Sequence, residues 1–192
     1  MSLSLYKPNS KNTGCGFSFQ PGLDAKTREP SFYIKAIKQH TWDSSKKRGY
    51  FQGNVGEPDK NIIVKFNEYE LGSFIHAFST RTDYNTFHTF NDDKTIIKLA
   101  PWDKKTKKSV KNEETGQWED KWSTTPAFSL SITRNGNQKF GVGIEPGEAQ
   151  CIIQLMKFSL NNLFNIRLKK QIEAVREDRK STEGDTDVKV PF

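Results

Sequence analysis

Two stretches of the chain run the same course, and this internal repeat restricts the possible fold more than any other feature. Residues 50–66 and 128–144 are each seventeen residues long, each reads as a hairpin, and each feeds straight into a helix. Across the junctions, Val64-x-Phe66-x-x-x-Glu70-x-x-x-Phe74-Ile75 aligns without a gap to Val142-x-Ile144-x-x-x-Glu148-x-x-x-Ile152-Ile153. The order that follows is four strands, helix, four strands, helix. The expected fold class is therefore α+β, with two antiparallel four-stranded sheets each followed by a helix.

In the first copy, residues 1–13 are polar and read as irregular. Residues 15–19 alternate and predict a strand. Residues 20–30 hold Pro-Gly and a second proline and predict a loop. Residues 31–42 predict a long strand with Phe32, Ile34 and Ala36 on one face and Tyr33 and Lys35 on the other. Strands at 47–54 and 61–66 flank a turn at 56–59. Asn67 is placed to cap a helix running to about Ser79, where Glu68 and Glu70 suit the positive pole. Leu71, Phe74, Ile75 and Phe78 form its apolar stripe.

In the second copy, residues 84–90 and 95–99 predict a hairpin joined by Asn91-Asp92-Asp93. After a long insertion, 127–133 points Phe128, Leu130 and Ile132 inward. Asn135-Gly136 is the strongest short hairpin signal in the chain. Residues 139–144 return with Phe140, Val142 and Ile144 inward and Gly141 and Gly143 on the exposed face. Pro146 suits the first turn of a helix, where its missing amide costs nothing. That helix is expected to reach about Arg176, with Asn161, Asn162 and Asn165 as a place where it could bend. Its Ile152, Met156, Leu160, Leu163 and Ile166 exceed what one small sheet needs, which predicts a homo-oligomer, dimer or tetramer, joined through this helix. The chain thus divides into one nucleic-acid-binding domain at 1–176, with repeats at about 14–80 and 84–176 and a basic hairpin insertion at 103–125. A disordered acidic tail is expected at 177–192.

Charge points to a polyanionic partner. The formal charge is +7, and residues 177–192 hold five acidic and three basic side chains, so the preceding body carries +9. A basic body favours nucleic acid or an anionic surface. Cys15 and Cys151 are too few for a disulfide framework and read as small buried hydrophobes. No apolar run approaches membrane-spanning length and no signal-peptide core is visible, so a cytoplasmic protein with no membrane partner is expected. His40, His76 and His88 lack ligand spacing with the cysteines, and the phosphate-loop and dinucleotide patterns are missing, so no metal and no cofactor is expected.

Unpaired bases stack on flat rings, while cations beside those rings neutralise phosphates. The required pattern is aromatic and basic residues interleaved on one sheet surface. Tyr33, Lys35, Lys38, His40 and Trp42 supply it on one strand, and Lys47, Arg48, Tyr50 and Phe51 on the next. Tyr84, Phe87, His88, Lys94 and Lys98 lie in the equivalent hairpin of the second copy, followed by Trp102. In the insertion, Lys104, Lys105, Lys107, Lys108 and Lys111 precede Trp118, Glu119, Asp120 and Trp122. This reads as a projecting hairpin with mutually neutralised arms, either a basic finger that closes over a strand or a solvated excursion pinned by one tryptophan. No catalytic residues are assigned. Glu119-x-Lys121 downstream of Asp103 is the one faint likeness to a metal-dependent nuclease, in which carboxylates hold magnesium.

The order of elements and the junction motif resemble the Whirly family of plant and protist proteins that bind single-stranded DNA or RNA. They are also similar to a fused duplication of the dimeric PC4-like coactivators. The resemblance covers residues 14–176. The Lys-Gly-Lys-Ala-Ala-Leu-Ser motif of plant members is absent, and Lys35-Ala36-Ile37-Lys38 is only a faint echo of it. The resemblance implies a tetramer assembled through helices, with single strands threaded along the sheets. The tail, through Asp185, Asp187, Pro191 and Phe192, resembles the acidic tails of bacterial single-stranded DNA-binding proteins, whose Pro-Phe tip recruits replication and repair partners. The combined expectation is a non-enzymatic protein of phage or bacterial type. It coats unpaired DNA with little sequence preference in replication or recombination, in the host cytoplasm if it comes from a phage. An RNA-binding or transcription-regulating module is the alternative on the same fold, and a metal-dependent nuclease the alternative in another class.

Overall fold

The computed structural model describes residues 1–113 and 116–183, with side chains as far as 178. The strands of the first half are β1 (Leu3–Lys7), β2 (Cys15–Leu23), β3 (Pro30–Lys38), β4 (Thr41–Asp43), β5 (Arg48–Tyr50) and β6 (Asn61–Phe66). Helix α1 (Glu68–Thr80) closes that half. The second half holds β7 (Tyr84–Phe90), β8 (Asp93–Lys111), β9 (Trp118–Arg134), β10 (Gln138–Ile144) and helix α2 (Pro146–Glu183). One antiparallel sheet has the order β1-β2-β3-β6, the other β10-β9-β8-β7, and β4 and β5 pair as a separate ribbon. The α+β architecture of two four-stranded sheets, each followed by a helix, is the one the repeat implies.

Strand alternation sorts each sheet into a dry face and an open face. Phe17, Phe19, Phe32, Ile34 and Phe66 turn inward from the first sheet, and Ile97, Leu99, Leu130, Ile132 and Phe140 from the second. Phe74 of α1 and Ile152 and Met156 of α2 complete one continuous buried cluster. Helix α2 lies against β1, β2, β3 and β9, while α1 packs on β7 and α2.

The two glutamates of the repeated junction do the same work. Glu70 accepts from the backbone N–H of Asn67 at 3.0 Å, and the Asn67 side chain accepts from Glu70 N at 2.9 Å, which is a capping box. Glu148 accepts from Glu145 N at 2.8 Å. The other oxygen of each carboxylate crosses to the first strand of the opposite half. Glu70 Oε1 meets His88 Nε2 at 2.5 Å and accepts from Thr86 at 3.0 Å on β7; Glu148 Oε1 meets Lys7 Nζ at 2.5 Å on β1.

Several expectations change. Residues 1–13 are not wholly irregular: Leu3 and Leu5 alternate with Ser4 and Tyr6, and Leu5 is buried, so β1 forms. Strand β2 continues through Pro21 and Gly22 because β1 pairing stops at Leu3↔Phe19, leaving no partner there for the missing proline N–H. The long strand read at 31–42 breaks at buried Gln39. Its side-chain amide donates to Asn9 O and Thr41 O and accepts from Asn9 N, replacing ladder bonds. The strand read at 47–54 is only β5, followed by a 3₁₀ turn at Gln52–Asn54. Residues 50–66 are therefore no hairpin, and β6 pairs with β3 instead, Phe66 opposite Phe32. The hairpin at 128–144 does form, with Asn135 and Gly136 both at positive φ.

Cys15 is buried, which pushes its thiol pKa up, but Cys151 is exposed. Ile152, Met156 and Leu163 are buried within this chain rather than left over for a partner. Helix α2 does not stop at Arg176 but continues through Glu183, since 173–180 is rich in strong helix formers. Residues 177–183, expected in a disordered tail, are therefore helical. Asp185, Asp187, Pro191 and Phe192 lie outside the described residues.

Candidate nucleic-acid interface

The open face of the second sheet is set by register. Lys139, Thr133, Ile96 and Phe87 form one row across it, and Gly141, Ser131, Lys98 and Asn85 the next. Gly143, Ser129 and Ala100 form a third. These residues share the strand parity that points away from the core. Apart from half-exposed Ile96 beside Phe87, the middle of the floor is small or polar, and rings stand at both ends. Phe87 is 75% exposed and Trp102 46%. Trp102 folds back over Gly143, where a Cβ would come within 3.2 Å of the ring and press the indole aside by a few tenths of an ångström. Lys94, Lys98 and Lys139 are exposed on the same face.

The open face of the first sheet has the same plan with its rings held down. Tyr6, Gly16, Ile37 and Asn61 form one row, Ser4, Ser18, Lys35 and Ile63 another, and Gln20, Tyr33 and Lys65 a third. The Tyr6 ring lies across Gly16 and tilts against Phe51 at 5.1 Å between centroids. Tyr33 lies over Gly22 and its hydroxyl donates to Leu23 O at 3.3 Å. Lys65 is engaged with Asp24 at 2.6 Å, which holds that carboxyl well below the usual carboxylate range. A concavity of about 280 Å³ opens beside Tyr6, lined by Ser18, Lys35, Ile37 and Ile63.

The β4–β5 ribbon carries another group. Trp42 is half-buried opposite Gly49, and the Arg48 guanidinium sits 5.7 Å from the centre of the exposed Tyr50 ring. Lys47 is exposed at the turn, at φ 48°. His40 is exposed but engaged: its Nδ1 is 3.1 Å from Asn54 Oδ1, and its ring crowds Gly53.

Three residues expected on the binding face belong to the other side. Tyr84 and His88 have the inward parity of β7, opposite to Phe87. Tyr84 packs edge-on against Phe74 at 4.9 Å, and burial raises its phenol pKa. His88 is held by Glu70 and stands edge-on to Phe66 at 5.9 Å. Lys38 turns toward the core end of β3, where its ammonium lies 5.4 Å from the Phe140 ring centre. Tyr6, Lys65 and Lys139 are face residues that sequence reasoning missed. For Tyr6 the signal was available in the alternation of Leu3-Ser4-Leu5-Tyr6.

Asp103 and Glu119, the carboxylates of the nuclease likeness, do not meet. Asp103 pairs with Pro126 and binds Arg81 at 2.6 Å, whereas Glu119 pairs with Val110 far along the same ladder and accepts from Asn112 at 2.6 Å. Among the described residues no group of three His, Cys, Asp or Glu side chains is gathered to hold a metal ion. Among them, too, no helix is long and apolar enough to cross a membrane.

No family model and no curated protein matches the chain. Solved structures do. The plant transcriptional regulator PBF-2 superposes with a TM-score of 0.51 at 14% identity, covering 88% of this chain and 85% of that one. WHY1 from Arabidopsis thaliana superposes with a TM-score of 0.53 at 12% identity, covering 91% and 92%. Both are Whirly proteins, so the chain has the Whirly-like α+β fold that its order of elements implies.

Proposed function

We propose that the protein binds unpaired DNA along the open faces of its two sheets, with little sequence preference, and acts in replication or recombination without catalysing a reaction. The observation that carries this reading is the uncovered face of the second sheet. Exposed Phe87 and Trp102 bracket a floor of serine, glycine and alanine, with Lys94, Lys98 and Lys139 alongside. Rings of this kind accept any base by its π-face, and small floor residues let a backbone approach. Lys35 and Tyr33 on the first sheet, with Lys47, Arg48 and Tyr50 on the ribbon, extend the track. His40 and Trp42 brace that ribbon.

The proposed assembly is a dimer or tetramer joined by α2, whose exposed Phe158, Phe164, Leu168 and Ile172 are left over together with Ile166 from the set first expected. Asp185, Asp187, Pro191 and Phe192 are proposed to recruit replication or recombination proteins, in the cytoplasm of a bacterium or of a phage's host. PBF-2 is a plant transcriptional regulator, which favours one second reading, an RNA-binding or transcription-regulating module on the same fold.

Titrating oligonucleotides while following tryptophan fluorescence tests the first reading. Single strands should quench emission, duplex much less, and added salt should weaken binding. Absence of any response to single strands at low salt would overturn it. A clear preference for ribose would transfer the assignment to RNA.

A further inference from the structure

The outer reach of the β8–β9 ladder has no part in the interface just proposed. We propose that this arm is a second, separate contact for an unpaired polynucleotide, stacking bases on Trp118 and Trp122 and pairing phosphates with Lys108 and Lys121. The inference rests on the single-strand reading of the sheet faces.

The pairing runs eight rungs past Asp103↔Pro126, to Lys111↔Trp118. At about 3.4 Å per residue the arm extends roughly 27 Å. Near its base it is tied down by Arg81–Asp103 and by Lys104–Glu145 at 2.5 Å. Both Trp118, 72% exposed, and Trp122, 67% exposed, point to one face, four residues apart on the same strand. Their cross-strand partners are Lys111 and Lys107, not apolar groups; the Lys107 ammonium lies 6.0 Å from the Trp122 ring centre, and both indoles remain largely open to water.

The charges on the arm have an unequal distribution. The two carboxylates on its outer paired strands are engaged: Asp120 by Lys107 at 2.7 Å and Ser109 at 2.9 Å, and Glu119 by Asn112. On the face opposite the tryptophans, Lys108 stands directly across from Lys121, and neither has an ion-pair partner among the described residues. Like charges placed opposite each other in a ladder destabilise it. A polyanion laid across them removes that penalty and adds two phosphate contacts. The ribbon is a single layer thick, so a strand passing round its edge meets cations on one face and rings on the other. This combination of flat rings with unpaired cations favours a polynucleotide over a second copy of the chain.

Trp42, Trp102, Trp118 and Trp122 are the four tryptophans of the chain. A Trp42→Phe/Trp102→Phe variant therefore reports on the arm alone. Oligodeoxythymidylate should quench its emission in step with binding measured by anisotropy of a labelled oligonucleotide. In the full chain, Trp118→Ala/Trp122→Ala should weaken binding by about ten-fold per ring without lowering the melting temperature. Lys108→Gln/Lys121→Gln should flatten the dependence of log affinity on log salt by roughly 0.7 per lysine. The same change should raise the melting temperature as the repulsion is relieved. If the oligonucleotide binds but the arm tryptophans stay unquenched and the arm variants keep full affinity, this proposal fails while the sheet reading stands. If the unaltered chain binds no single strand, both fall together. Loss of oligomer mass in the tryptophan variant with unchanged affinity would show that the arm grips another copy, and would also overturn the proposal.

Discussion

The two halves of the molecule share a body plan and differ at their connections. In the first, β2 and β3 are joined by a short loop in which Asp24 accepts from Lys26 N and Thr27 N, and the excursion lies between β3 and β6. In the second, the connection equivalent to β3–β6 is the tight Asn135-Gly136 turn, and the excursion is the β8–β9 arm. The faces differ too. Rings on the first sheet are laid over glycines and pinned, whereas Phe87 stands free on the second. What the halves share holds the core, and what they do not share shapes the surface. Surface chemistry can thus diverge without disturbing the buried junctions.

The largest test of this contrast strikes the shared part. Phe66→Ala should cost about 3–5 kcal/mol and Ile144→Ala about 2–5 kcal/mol, since both are buried where strand meets helix. Urea melts of either should keep one cooperative transition. Two transitions would mean that the halves have separate cores.

A smaller effect tests the faces. Phe87→Ala should weaken single-strand binding by about 1–3 kcal/mol with little change in stability. Tyr33→Ala should weaken it less, because its ring is already committed to Gly22 and Leu23. Equal losses in fluorescence titrations would erase the asymmetry.

Glu70→Ala and Glu148→Ala should each destabilise by about 1 kcal/mol, the usual size of a lost cap. Double-mutant cycles with His88→Ala and Lys7→Ala should give couplings of the same sign in both halves; coupling in only one would end the equivalence. The smallest effect is expected in acid. Arg167 beside Glu68 holds that carboxyl below its ordinary value. Stability from this contact is present above the ordinary carboxylate range and is lost as pH falls through the lowered value. Thermal midpoints should therefore drop on acidification, and drop less in Arg167→Gln.

Much of this was legible in the chain, for identifiable reasons. Asn67 with Glu70, Asn135-Gly136 and the alternation of Phe128, Leu130 and Ile132 are local signals, and each forms the predicted element. What escaped depends on partners far away in sequence. Nothing near Leu3 announces that it will pair with Phe19, and nothing near Pro21 announces that the neighbouring strand has already ended. Gln39 interrupts a strand because Asn9 and Thr41 accept its amide protons, a tertiary arrangement without a local signature. On the face itself the rule of alternation was sufficient. Tyr84, Phe87 and His88 cannot all point one way, and parity separates Phe87 from the other two.

The crossed carboxylates have a consequence for the history and physics of such a chain. A half-length polypeptide ending near Arg81 would keep Glu70 but lose the strand that Glu70 grips, and its β1 would lose Glu148. Two such halves could complete each other only as a reciprocal pair with twofold symmetry, and dilution would undo it. Joining them through the left-handed turn at Arg81 makes that encounter intramolecular, so the fold of the tethered pair no longer depends on how concentrated the protein is.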